Sequence, residues 1–274
     1  MQPPDLSQIT AEILASRKYR GLSIPAETVA DLIAREWPKH HNPADALQAV
    51  RSKLHNIVAP YLGDPDYAHA RSTLDAAFAS GKQEQVKAEC LRLLAAHAST
   101  RERIPLLEQF YHRLWAVTRP PRVVLDLACG LHPLGLPWMG LPTDVQYHAY
   151  DIHQPRLALL NHFLALNNLP PLAEQRDILL SPPEVEADVA IFFKEAHRFE
   201  QRRKGCTRAF LQALRARWLL VSLPSESLTG RRSLAEQMRQ LVYTALQGLD
   251  WPVCEVIFPG EIVFCIRKSP QEQP

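Results

Sequence analysis

The chain has 274 residues, 46% of them apolar, and a formal net charge of +2. Such a length supports two modest domains, or one large one, around a real core. The near-balanced charge excludes a protein that binds nucleic acid by overall basicity, so any such role falls to a local basic face.

Up to about residue 117 the apolar pattern is helical. Ile9, Ile13 and Leu14 share one face, as do Val29, Leu32, Ile33 and Trp37, and then Leu47, Val50, Leu54 and Val58. Breaks fall at the turn-forming stretches IPAE, HHNPAD and YLGDPDYA. Further helices are predicted over 67–79, 83–97 and 104–117. From residue 121 the period changes. VVLDLA, VQYHAY, ADVAIFF and WLLVSL are short apolar runs, each followed by a polar turn and a helical stretch. This alternation predicts a parallel sheet covered on both faces. The end differs: VCEVIFPGEIVFCIRK (Val253–Lys268) is two β-rich runs around Pro259-Gly260, a hairpin with no helix between them. A parallel sheet closed by an antiparallel hairpin is the arrangement of class I S-adenosylmethionine (SAM) methyltransferases. The expected fold is therefore α/β: a helical N-terminal domain over 1–117, then a Rossmann-like domain over 118–274.

Five cysteines (Cys90, Cys129, Cys206, Cys254 and Cys265) stand singly, with no CxxC and no histidine pair at zinc spacing. That pattern predicts free thiols in a reducing compartment and no metal. No run approaches the roughly 18 apolar residues of a membrane span, and the N-terminus has no apolar signal segment. A cytoplasmic monomer is expected.

Chemistry concentrates at LDLACGLHPLGLPWM (Leu125–Met139), in the first βα turn, where open α/β sheets bind ligands. A dinucleotide needs G-x-G-x-x-G there so that its pyrophosphate can approach the backbone. This turn has only Gly130, followed by Leu131, His132 and Pro133. A pyrophosphate fits poorly, whereas SAM carries no phosphate and one glycine lets its methionine portion lie over the turn. Asp151, at the end of the next strand, stands where an acid takes ribose hydroxyls. Asp177, in QRDILL, stands where a carboxylate can accept from an adenine amino group. A ligand-free α/β turn and another nucleotide are the alternatives. The [DN]PP[YFW] loop of exocyclic-amine methylases is missing after the fourth strand, where Phe193-Lys194 stand instead. Cys206 does not match a cytosine-C5 nucleophile. A ring nitrogen with its own lone pair, which needs no general base, fits best.

The segment HASTRER (His97–Arg103), followed after a helix by LDLACGLHPLGLPWMGLP (Leu125–Pro142), resembles the aminoglycoside-resistance 16S rRNA methyltransferases that modify guanine-1405 at N7. Matching segments run in order from SRKYRGLSIPAETV (Ser16–Val29) and RSKLHNIVAPYL (Arg51–Leu62) to SLPSESLTGR (Ser222–Arg231) and GEIVFCI (Gly260–Ile266). The resemblance implies a helical region docking on 16S rRNA in the 30S subunit. It implies Arg103 on the methionine carboxylate, Ala128, Cys129 and Gly130 under the methionine, Asp151 at the ribose, Asp177 and Ile178 at the adenine, and Ile152 in the same cofactor site. His97, Ser99 and Phe193 would also belong to the cofactor site. Lys194, Arg231 and Glu261 would face the target base, Glu261 steadying the positive charge that N7 methylation creates. Two stretches depart from the family: EAHRFEQRRKG after Lys194, where a Leu-Pro-Leu-Leu type run is usual, and RSLAEQMRQLVY after Arg231. Methylation of a different rRNA base, or a weakly active SAM-binding protein that docks on rRNA, are the rival readings.

Arg17, Lys18 and Arg20, then Arg51 and Lys53, and then Arg202 and Arg203 form basic clusters that are expected either to hold RNA phosphates or to be solvated faces. For His132 and His153 a structural role is expected, and for Cys129 that of a small residue the turn tolerates.

Overall fold

The apolar runs after residue 121 form one seven-stranded sheet, and their order decides where a ligand can sit. In a computed structural model that describes residues 5–58, 64–226 and 234–268, the strands are β1 (Val123–Leu127), β2 (Gln146–Asp151), β3 (Ala173–Gln175), β4 (Ala187–Phe193), β5 (Ala216–Pro224), β6 (Val253–Phe258) and β7 (Glu261–Arg267). They lie in the order β3-β2-β1-β4-β5-β7-β6. The first five are parallel, and β7 pairs antiparallel with both β5 and β6. Gly260, at φ +73°, turns the closing hairpin. Strand order reverses beside β1, so the ends of β2, β1 and β4 open a crevice at the carboxyl edge.

Twelve helices are described: α1 (Leu6–Ala15), α2 (Ala26–Glu36), α3 (Pro43–Val58), α4 (Tyr67–Ala79), α5 (Gln83–Leu94), α6 (Ala98–Arg101), α7 (Leu107–Thr118), α8 (Leu136–Met139), α9 (Gln154–Leu166), α10 (Ala196–Arg202), α11 (Cys206–Ala213) and α12 (Ala235–Leu246). Local chemistry sets several ends. Asp5 caps α1 by accepting from the Ser7 and Gln8 amides, and Asp66 caps α4 through the His69 amide, each worth about 1 kcal/mol.

The apolar faces fall into three clusters. Leu74, Leu93, Phe110, Leu114 and the α9 residues Leu160 and Phe163 pack on one face of the sheet. Phe199, Phe210, Leu211 and Val242 pack on the other. Ile13, Val29, Leu32, Ile33, Val50 and Leu54 join α1–α3 into a separate small core. Thus α4, α5 and α7, read from sequence as part of the helical half, share their core with the sheet, whereas α1–α3 have a core of their own. Periodicity assigns helices but does not say which surface they cover. Among the described residues no helix is long and apolar enough to cross a membrane.

Candidate active site

One cavity of about 610 Å³ occupies the crevice. Much of its lining comes from strand ends and the turns that follow them. Strand β1 delivers Asp126, after which the chain turns through Ala128 and Gly130, both in the left-handed region at φ +51° and +55°. The Cys129 amide donates to the Tyr150 carbonyl at 2.9 Å, which ties this turn to the end of β2. A β-carbon on Gly130 would stand 3.5 Å from the His97 ring, ordinary contact. The backbone angle, more than space, is what favours glycine here. Ala128 holds the same geometry with a methyl group, a strained position of the kind that collects at binding sites.

Asp126 and Asp151 underpin the turn. The Asp126 carboxylate accepts from Tyr147 Oη at 2.7 Å and faces His132 Nδ1 at 2.8 Å, whose other nitrogen meets Tyr111 Oη at 2.9 Å. All four side chains are buried, and this chain of contacts gives His132 a structural role. Asp151 accepts from the Gly130 amide at 2.9 Å, the His153 amide at 3.0 Å and Arg156 Nη1 at 3.0 Å. Arg156, fully buried, also reaches Asp64 at 2.5 Å. The second crossover, the first crossover and the segment before α4 are thereby locked together.

Asp177 is held by a different set. Its carboxylate accepts from Thr28 Oγ1 of α2 at 2.7 Å, from Arg202 of α10 at 2.7 and 3.0 Å, and from the Leu179 amide at 3.2 Å. Arg202 lies 3.4 Å from Asp31 as well. The α1–α3 unit therefore closes over this end of the cavity, and Lys53, Asn56 and Ile57 of α3 line it.

At the opposite end Arg103 is buried. It donates from Nε and Nη2 to the two Glu261 oxygens at 2.9 and 2.5 Å, and from Nη2 to Ser222 Oγ at 3.3 Å. Its guanidinium lies 4.4 Å from the Phe193 ring centroid and 5.2 Å from that of Phe110. Burial works against the Glu261 anion, but the charge and hydrogen bonds of Arg103 outweigh it and hold the carboxyl below its usual range. Lys194 stands beside this pair, 3.6 Å from Glu261 and bonded to Glu102. Its backbone is left-handed at φ +59°, fixed by amide contacts to the Ser222 carbonyl at 2.9 Å and Ser222 Oγ at 3.2 Å.

His97 faces Ser99 across 2.9 Å. Burial, helped by the Arg156 charge, depresses its pKa to about 4, so the ring is neutral at ordinary pH. Burial raises the Cys129 thiol well above its usual range, which removes it as a nucleophile.

All eleven residues expected at the cofactor (His97, Ser99, Arg103, Ala128, Cys129, Gly130, Asp151, Ile152, Asp177, Ile178 and Phe193) line this one cavity. Glu261 pairs with Arg103, Lys194 stands 3.6 Å from Glu261, and neither lines the cavity wall. Glu261, expected to face the target base, has both oxygens engaged by Arg103. Arg231 lies outside the described residues. Arg17, Lys18 and Arg20 are exposed on the turn after α1. Tyr19, buried between them, donates to the Arg51 carbonyl at 3.2 Å and so holds exposed Arg51 beside that turn. Lys53 departs from this face: it pairs with Glu36 at 2.9 Å and lines the cavity. Arg202, expected on a solvated or phosphate-binding face, is turned inward onto Asp177 and Asp31, because their two carboxylates offer its guanidinium a better partner than water. Arg203 stays exposed. Thr28, Arg156 and Glu195 were not expected at the site, although Glu195 directly follows Phe193 and Lys194.

A parallel sheet with this reversal, an antiparallel closing strand and a crevice held by acids at three successive strand ends defines a class I, Rossmann-like methyltransferase fold. A family model described as "Ribosomal RNA methyltransferase (FmrO)" matches residues 15–264, and the chain belongs to that family. It is similar to the 16S rRNA (guanine(1405)-N(7))-methyltransferase of Frankia casuarinae, 30% identical over 97% of this chain and 95% of that one. The protein of the same name from Serratia marcescens is 33% identical over 83% and 84%. Among solved structures, the 16S rRNA methylase RmtB matches with a TM-score of 0.77 at 26% identity, covering 97% of this chain and 100% of that one. The 16S rRNA methyltransferase RmtF, solved with S-adenosyl-L-homocysteine (SAH), matches with a TM-score of 0.77 at 26% identity, covering 98% and 100%.

Proposed function

We propose that this protein transfers a methyl group from SAM to N7 of guanine-1405 of 16S rRNA in the 30S subunit, and that the modification protects the decoding site from aminoglycosides. The observation that carries the reading is a single cavity bearing, in spatial order, Arg103, the Gly130 turn, Asp151 and Asp177. The donor set fits SAM. The bidentate pair with Glu261 uses Arg103 Nε and Nη2 and leaves the Nη1 donors for a ligand carboxylate. The single-glycine turn suits a ligand without phosphate, and Asp151 and Asp177 suit a ribose and an adenine. The relatives named for guanine-1405 and the SAH held by RmtF support the same assignment.

SAM supplies an activated methyl group, and the protein's task is alignment and charge control. Glu261 holds Arg103 in register and, with Lys194, brings a fixed charge pair to the edge where β4 and β5 end. His97, neutral, closes the Gly130 turn without adding charge. The exposed Arg17, Lys18, Arg20 and Arg51 form the phosphate-binding face of the helical docking region, joined by Arg203. Arg231 belongs to the target side on the family match. The base sits in structured RNA, so extrusion before transfer is expected.

Incubating tritiated SAM with 30S subunits, then mapping by borohydride and aniline cleavage, tests the proposal. Cleavage at guanine-1405 is the expected result. Label at another position would move the target, and no label would leave a docking protein.

A further inference from the structure

Four carboxylates line the cavity: Asp126, Asp151, Asp177 and Glu195. The first three are each held by two or more hydrogen-bond partners, as described above. Glu195 is different. Among the described residues its side chain meets one cation, Arg198, with Nε 3.6 Å from Oε1, too long for a hydrogen bond. About a quarter of the side chain (26%) remains open, although protein surrounds it.

The position is built. Glu195 follows the strained Lys194 turn, where Ser222 fixes the end of β4 next to the Gly130 turn of β1. Asp151 and Arg156, from the end of β2 and from α9, act on it electrostatically across the cavity, as Arg198 does from its own helix. Strand β4 lies next to β1, and Glu195, two residues past its end, lines the same cavity as the Gly130 turn and Asp151. In the reading above, the amino-acid portion of the cofactor lies at that turn and the ribose at Asp151. The atom joining the two portions is the sulfur, positive in the donor and neutral in the product.

We propose that Glu195 is a specificity-determining residue that distinguishes the sulfonium donor from the neutral thioether product by charge. Methyl transfer breaks a carbon–sulfur bond, leaves its electron pair on sulfur and moves the positive charge to the acceptor nitrogen. The attraction that helps to capture the donor is then gone, and the product leaves more readily. This inference rests on the cavity being the SAM site.

Burial pushes the Glu195 carboxyl up to about 7, reinforced by Asp151 and opposed by Arg198 and Arg156. Among the other ionisable groups that line the cavity, Arg103 keeps its charge near that pH, and burial holds His97 and His197 neutral there, both pushed down to about 4. Below pH 7 the carboxyl is protonated and cannot discriminate; above it the anion does. A sulfonium that displaces this ionisation by one pH unit makes the SAM-to-SAH affinity ratio rise roughly fivefold between pH 6 and pH 8.

Calorimetry of the full chain with SAM and with SAH, at both pH values, tests this on wild type and Glu195→Gln. The expected result is a rising ratio in wild type and a flat, lower ratio in the variant, with SAH affinity retained within about twofold. Retained SAH binding also reports that the variant is folded. An unchanged, still rising ratio in Glu195→Gln overturns the inference. So does equal weakening of both ligands, because the carboxylate would then serve a group they share, such as the ammonium. Wild type that binds neither ligand removes the reading of the cavity itself, an outcome distinct from the other two.

Discussion

Glu261→Gln keeps the shape of the side chain and removes the charge facing Arg103. Arg103 is 3% exposed, and Glu261 accepts from it at 2.9 and 2.5 Å; the next cation, Lys194, is 3.6 Å away and already bonded to Glu102. Removing one member of a buried ion pair costs about 3–5 kcal/mol, because the remaining charge is stranded where water cannot reach it. Glutamine retains one acceptor oxygen, so the lower end, about 3 kcal/mol, applies. Urea unfolding followed by circular dichroism should show the midpoint falling by about 1 M for a slope near 3 kcal/mol/M. The pH dependence has a definite sign. Glu261 has a folded pKa below its ordinary 4.5, so its stabilisation is complete above 4.5 and disappears as pH falls through the depressed value. The gap between wild type and variant should accordingly be constant from pH 8 to pH 5 and narrow only in the acid range below that. SAH binding should weaken in parallel, because Arg103 loses the partner that orients it. A loss below about 1 kcal/mol at pH 7, or a gap that closes already at pH 6, would refute this account of the pair.

Thr28→Val deletes the fully buried hydroxyl that ties α2 to Asp177. It should cost about 1 kcal/mol and speed hydrogen exchange in α2, and unchanged exchange would mean the contact does not anchor the helical unit. Replacing Arg17, Lys18, Arg20 and Arg51 together by alanine should reduce the salt slope of 30S binding by up to about one per phosphate contact, with SAH affinity unaltered. An unchanged slope would take RNA docking away from that face. His97 titrates near 4 when folded and 6.5 when unfolded, so its contribution to stability is complete above 6.5 and declines as pH falls toward 4. His97→Gln should flatten that part of the stability profile; an identical profile would show the ring to be ordinary.

Much of this protein is readable along the chain. The apolar runs at 123–127, 146–151, 187–193 and 216–224 have only one stable use, as strands buried on both faces. The Pro259-Gly260 turn between two β-rich segments permits a hairpin and little else. Gly130 and the acids Asp151 and Asp177 follow from strand ends, which always meet at one edge of a parallel sheet. Their convergence on one cavity is therefore a consequence of topology that sequence spacing carries. Periodicity also identified helix 67–79 and, expected over 83–97 and ending at Leu94, the next one, because a 3.6-residue repeat is local.

What the tertiary structure alone decided is which charges meet. Arg103 and Glu261 are 158 positions apart, and Thr28 and Asp177 are 149 apart. Nothing local distinguishes Arg202, turned inward onto two carboxylates, from its exposed neighbour Arg203. Nor does spacing show that α4, α5 and α7 pack on the sheet while α1–α3 keep their own core. Side-chain periodicity records which face of an element avoids water, and that is a property of the chain. The partner that covers the face, and the counter-charge that settles each buried ion, are properties of the packed molecule, because low-dielectric pairing acts between atoms that only folding brings together.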